Sequence, residues 1–171
     1  MSFVIPATPG VAAPAADCPP PLPQAGGQAE PAIANDGFFP DVAPHALRAQ
    51  VRVRDHVTPA RWREALLGAI ITVGNDLAAW ADRQQAAGHA TLAAVPGPSI
   101  GGEPRLLILY RRAVALNAKA EIVERTPDID TTGAGQRKAE DLEPTIGDLR
   151  RDALHAVRDM LGVGRLDVEL I

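Results

Sequence analysis

The sequence predicts an all-α fold, a small bundle of about four helices with an extended N-terminal arm and a strand-like C-terminal tail. Three observations lead there. Apolar residues recur at spacings of three and four along three long stretches between Thr58 and Leu161. The first 47 residues hold no Lys or Arg, and the first 31 hold half of the 16 prolines. From Arg165 to Ile171 polar and apolar residues alternate, which is the period of a strand. The composition changes at Phe38, so the chain divides into an arm over 1–37, a helical body over 38–164 and a tail over 165–171.

The arm carries Pro6, Pro9, Pro14, Pro19, Pro20, Pro21, Pro23 and Pro31 among Ala, Gly and small polar residues. Proline fixes φ and removes a backbone donor, so neither helix nor central strand is expected there. Extended, partly polyproline II geometry is the expectation. Two readings fit: a tether, which suits residues 7–34, and an arm that orders on a partner. Phe3, Val4 and Ile5 make a small apolar hook suited to the second reading.

Phe38 and Phe39 are two of six aromatics. An exposed Phe pair is costly, so it should be buried against the body or a neighbouring subunit, and it is a candidate interface. Ala43–Arg54 reads as a short helix with Pro44 in its first turn and Leu47, Val51 and Arg54 on one side. Thr58 then supplies an N-cap, Pro59 an N1 residue, and Val57 with Trp62 a hydrophobic staple. Trp62, Leu66, Ala69, Ile70, Val73, Leu77 and Trp80 form its stripe, and Gly88 is the stop. That is about 28 residues, or roughly 40 Å of helix. Gly68 and Gly74 weaken it locally, so packing must hold it.

Residues 88–104 read as a loop. A third helix follows from Pro104 to Arg125, with Leu106, Leu109, Tyr110, Ala113, Leu116, Ala120 and Val123 as its stripe. Its start, Leu106 to Tyr110, is apolar all round, so that end should be central or covered by a partner. Residues 126–135 are a second loop. The fourth helix, with Leu142, Ile146, Leu149, Ala153, Val157 and Met160 in register, runs to Leu161 before Gly162 and Gly164; Pro144 either starts it or kinks it. The tail Arg165, Leu166, Val168, Leu170 and Ile171 is the only strand candidate, and one strand cannot satisfy its own backbone. It either joins a partner's sheet edge or lies on the bundle.

Composition narrows the function. The arm removed, about 135 residues remain, enough for one core. A net charge of −4 argues against a general DNA or RNA binder, though it leaves room for a local basic stripe. Cys18 is the only cysteine, so no intrachain disulfide forms. The N-terminus lacks a basic, apolar leader pattern, and the longest apolar run is about half a bilayer span, so a soluble cytosolic protein is expected.

No catalytic motif stands out. His45, His56, His89 and His155 fall in separate elements without ligand spacing. Asp128-x-Asp130-x-Thr132-Gly133 imitates the start of a calcium loop, but Ala139 stands where a bidentate Glu is required. Gly133-x-Gly135 before Arg137-Lys138 lacks phosphate-loop spacing. Serine occurs only at 2 and 99, which leaves no basis for a triad. Glu140-Asp141 reads as a solvated helix face, and so do the basic clusters at Arg48, Arg52, Arg54, Arg61 and Arg63, Arg111-Arg112 and Arg150-Arg151. No cofactor or metal is expected.

A set of residues in order along the body carries a resemblance. They are Phe38-Phe39-Pro40-Asp41, Pro59-Ala60-Arg61 with Arg63-Glu64-Ala65, Ala87-Gly88 with Leu92-Ala93 and Val95-Pro96, and Tyr110 with Arg112-Ala113-Val114. Glu124-Arg125, Lys138-Ala139, Thr145-Ile146 with Leu149, Arg151-Asp152 and the terminal Ile171 continue it. In that order and spacing, residues 38–171 resemble the head completion protein gpL family of temperate contractile-tailed phages. The arm over 6–34 departs from the family pattern. The resemblance implies a non-enzymatic head–tail connector, or adaptor, in the neck of the virion, made in the bacterial host cytoplasm. It implies a ring on the portal protein after DNA packaging, which helps retain DNA and docks a tail or neck completion protein. It also implies a homo-dodecamer. The alternative to solvated faces for the basic clusters is contact with an acidic protein surface or, non-specifically, with passing packaged DNA, and the short apolar runs leave no membrane contact expected. Phe3, Ile5, Phe38, Phe39 and the tail residues are the expected interface. Two other classes stay open: a small helical nucleic-acid-binding packaging regulator, and an enzyme whose site leaves no sequence mark.

Overall fold

A computed structural model describes residues 30–125 and 145–164. Among them are four α-helices: α1 (Pro44–Gln50), α2 (Pro59–Ala86), α3 (Arg105–Arg125) and α4 (Ile146–Leu161). The described residues are mostly helical and form a small helical bundle. α3 is the central element, packed against both α2 and α4, while α2 and α4 touch each other less.

The longest helix forms as its sequence dictates. The Thr58 side chain accepts from the Arg61 N–H, and Pro59 sits at N1. The staple pair Val57 and Trp62 is buried, and the Trp62 indole donates to the Pro44 carbonyl at 2.9 Å, tying α1 to α2. Gly88 adopts φ +92° just past the helix end. The buried stripe is Trp62, Ala65, Leu66, Ala69, Val73, Leu77 and Ala81, with Ile70 and Trp80 half-buried at its margin.

α4 begins at a reciprocal cap. The Asp148 N–H donates to Thr145 Oγ1, and the Thr145 N–H donates back to the Asp148 carboxylate. Gly162 closes the helix at φ +70°. Pro144 and Leu142 lie outside the described residues.

Four expectations are corrected. The first helix stops at Gln50 rather than Arg54, because the backbone turns at Arg52 with φ +51°. α3 is buried along Tyr110, Ala113, Val114, Ala115, Ala118, Ala120 and Ile122, not along Leu116 and Val123. Two neighbours cover it, so its buried arc is wider than one stripe and small residues face the close approaches. Strand pairing occurs where none was expected, outside the tail. Ser99–Ile100 (β1) and Glu103–Pro104 (β2) pair across Gly101-Gly102, whose φ values of +60° and +82° suit a tight primed turn. Finally, residues 30–37 do not all belong to a free arm: Ile33 is 3% exposed and exchanges both backbone hydrogen bonds with Val42, at 2.8 and 3.0 Å.

Candidate interaction surfaces

The Ile33–Val42 bridge closes a loop that presents Phe38 and Phe39 to the core. The Asp36 carboxylate accepts from the N–H groups of both phenylalanines at 3.0 and 2.9 Å, and Gly37 supplies φ +95°. The Phe38 carbonyl accepts from Leu92 N–H at 2.8 Å, joining the loop to a 3-10 turn at Leu92–Ala94. Phe38 meets Phe39 edge to face at 5.1 Å and Trp80 at 6.3 Å, while Phe39 stacks on Tyr110. Both phenylalanines are only 4–5% exposed within their own chain. The interface expected of them is therefore an internal one. The bridge and the Asx-type turn fold the pair onto α2 and α3, leaving little surface for a second subunit.

Tyr110 anchors this cluster. It is fully buried, and its hydroxyl accepts from Asn35 Nδ2 at 2.8 Å. Burial pushes the phenol from 10.0 up to about 12; the Asn35 bond pulls the other way and the Asp36 charge adds to the rise. The main cause is burial of the ring in the core. Sequence reading missed Asn35, which sat in the assumed arm and carried no periodic signal.

Most arginines of the basic clusters are engaged. Arg48 donates to the Arg54 and Val57 carbonyls at 2.9 Å, bracing the α1–α2 turn. Arg61 reaches the Arg125 carbonyl at the end of α3, and Arg63 the Pro31 carbonyl. Arg111 pairs with Glu103, Arg112 with Asp152, Arg150 with Glu124 and Arg151 with Asp148. No group of three or more metal-ligating side chains occurs among the described residues, and no described helix is long and apolar enough to cross a membrane. The calcium-like run, Gly133-x-Gly135 and Glu140-Asp141 lie outside the described residues. So do Phe3, Ile5, Arg165, Leu166, Val168, Leu170 and Ile171.

Apolar surface remains at named places. Leu106, Leu107, Ile108 and Leu109, the all-round apolar start of α3, are half-buried. Ile100 on the hairpin is 58% exposed, Leu154 on α4 51% and Ile71 on α2 63%. A groove of about 480 Å³ opens between the end of α2, the following loop, the start of α3 and the end of α4, with Trp80 and Leu106 in its walls.

The family model described as "Phage head completion protein (GPL)" matches residues 33–171. The chain is 37% identical over 150 residues to a "Head completion/stabilization protein" of Escherichia phage P2, covering 88% of each chain. It is 28% identical over 140 residues to a "Probable head completion/stabilization protein" of Haemophilus phage HP1, covering 81% of this chain and 91% of that one. No solved structure matches it. The match begins at Ile33, the residue that opens the ordered loop, rather than at Phe38.

Proposed function

The chain belongs to the phage head completion protein (GPL) family, and from that membership we propose that it is a structural connector of the virion neck. It forms a ring on the portal protein once DNA is packaged, helps retain the genome by steric closure, and offers the docking platform for a tail or neck completion protein. Twelve copies are proposed, because a heterologous head-to-tail contact must close on the symmetry of the ring beneath it. The observation that carries this reading is the family match over the whole helical body. The pairing of the arginine clusters with carboxylates and helix-end carbonyls supports it over a nucleic-acid-binding regulator. Contact with packaged DNA is then non-specific and secondary.

The attachments lie at the borders of the body. Arg165, Leu166, Val168, Leu170 and Ile171 add a strand to a sheet edge on the portal or an adjacent subunit, with main-chain hydrogen bonds giving affinity. Phe3 and Ile5 form a second hook at the other terminus. The half-buried Leu106–Leu109 end of α3 supports a subunit contact as well.

Electron microscopy of the protein mixed with its portal tests the reading. A ring coaxial with the portal is the expected result. Monomers scattered without symmetry on the portal, or no binding, would overturn it. A chain ending at Gly164 should keep its helix content and lose ring docking; docking at full strength would remove the tail from the account.

A further inference from the structure

The two tryptophans are used differently. Trp62 is fully buried with its indole N–H bound to the Pro44 carbonyl. Trp80 is half-buried, lines the groove, and has no hydrogen bond on its indole N–H among the described residues. Val95, Pro96, Pro98, Leu106 and Met160 complete an apolar wall beside it. Arg105 and Asp159 both stand at the same groove; Asp159 has a partner of its own, whereas the Arg105 guanidinium has no carboxylate or carbonyl partner among the described residues. An open tryptophan N–H in an apolar trough is the arrangement that takes polyproline II segments: the ring packs on prolines and the N–H donates to a free carbonyl. The lone arginine adds a preference for an acidic flank.

We propose that the groove is occupied by the chain's own arm, through the run Pro19-Pro20-Pro21-Leu22-Pro23. Four prolines in five residues favour polyproline II geometry at low entropic cost. Asp17 precedes the run, and the only charged side chains of residues 1–30 are Asp17 and Glu30, so the arm's sign complements Arg105. Reach also agrees. Arg63 Nη1 holds the Pro31 carbonyl at 3.1 Å near the start of α2. From the Arg63 turn to the Trp80 turn is about 25 Å along the helix at 1.5 Å per residue. From Pro31 back to Pro23 the chain covers about 25 Å at the 3.1 Å rise of polyproline II, and Pro19 reaches about 12 Å further.

Cys18, the single cysteine, provides the test. A nitroxide label on Cys18 of the full chain should broaden the Trp80 indole N–H resonance and spare that of Trp62. Replacing Pro19, Pro20, Pro21 and Pro23 together with Ala should restore the Trp80 signal, and Arg105→Ala should restore it in part. Equal effects on both tryptophans, or a Trp80 resonance untouched by the label, would overturn the proposal. So would broadening carried from a labelled chain to an isotope-labelled, spin-free chain mixed with it, because the occupant would then be a second copy.

Discussion

Phe39 lies face to face on Tyr110, with ring centroids 4.8 Å apart and planes 11° from parallel. The contact joins the segment before α1 to the central helix, far along the chain. With Asn35 on the phenol oxygen and Trp80 against Phe38, it turns residues 30–42 from a leader into part of the core.

Phe39→Ala should therefore behave as a core truncation. The expected cost is about 3–5 kcal/mol, since a buried ring is lost and the loop cannot collapse onto α3 without breaking the Ile33–Val42 bridge. Urea unfolding followed by helical circular dichroism should show a lower midpoint at similar slope. A loss under about 1 kcal/mol would mean that the pair faces a partner rather than the core.

Tyr110 makes alkaline pH a specific probe. Its folded pKa of about 12 lies above the unfolded value of 10.0. Above pH 10 the unfolded chain releases this proton first, so the stability it contributes is full below pH 10 and is lost as pH rises toward 12. The loss over that window is roughly 2–3 kcal/mol. Tyr110 is the chain's only tyrosine, so tyrosinate absorbance reports it without overlap. Tyr110→Phe should abolish that signal and flatten the stability profile over the same window, while losing about 1 kcal/mol at neutral pH from the Asn35 bond.

Helix existence was legible because it rests on local chemistry: Thr58-Pro59 starts α2, Gly88 ends it, and the three-and-four spacing of Trp62 to Leu77 fixes its inner face. Burial was legible where one neighbour covers one face. It was not legible on α3, where two helices approach and alanines take positions that a single-stripe reading gives to Leu116 and Val123. The Phe pair shows another limit. Two adjacent aromatics announce burial, but whether inside the chain or between subunits depends on a turn made by Asp36 and Gly37 and on a bridge between Ile33 and Val42. The Gly101-Gly102 pair did carry a hairpin signal, but two-residue strands are too short to leave a period.

The Thr145–Asp148 cap should set the stability of α4. Thr145→Ala removes the acceptor for the Asp148 N–H and should cost about 1 kcal/mol. The Thr145 side-chain and backbone bonds hold the Asp148 carboxyl below its usual value of 3.8, so its contribution is present above that value and fades as pH falls through the lowered one. Asp148→Asn should therefore reduce the acid-side pH dependence of unfolding while keeping most of the helix content. An unchanged acid limb would show that the reciprocal half of the cap is silent.

Two glycines inside α2 differ in what a side chain there would meet. A Cβ at Gly74 would meet nothing within 4 Å. Gly74→Ala should raise stability by about 0.5–1 kcal/mol, the usual helix-interior difference, readable as a higher Tm. At Gly68 the Cβ would lie 3.0 Å from Glu121 Oε2, the free end of a side chain that also pairs with Arg125 at 3.1 Å. Gly68→Ala should then gain less, because Glu121 must swing and give up a surface pair worth under about 1 kcal/mol. Adding Glu121→Ala to Gly68→Ala should recover more of the propensity gain than additivity predicts, since the two sites share one contact. Additive behaviour would place the limit in the α2–α3 backbone approach instead of in the carboxylate.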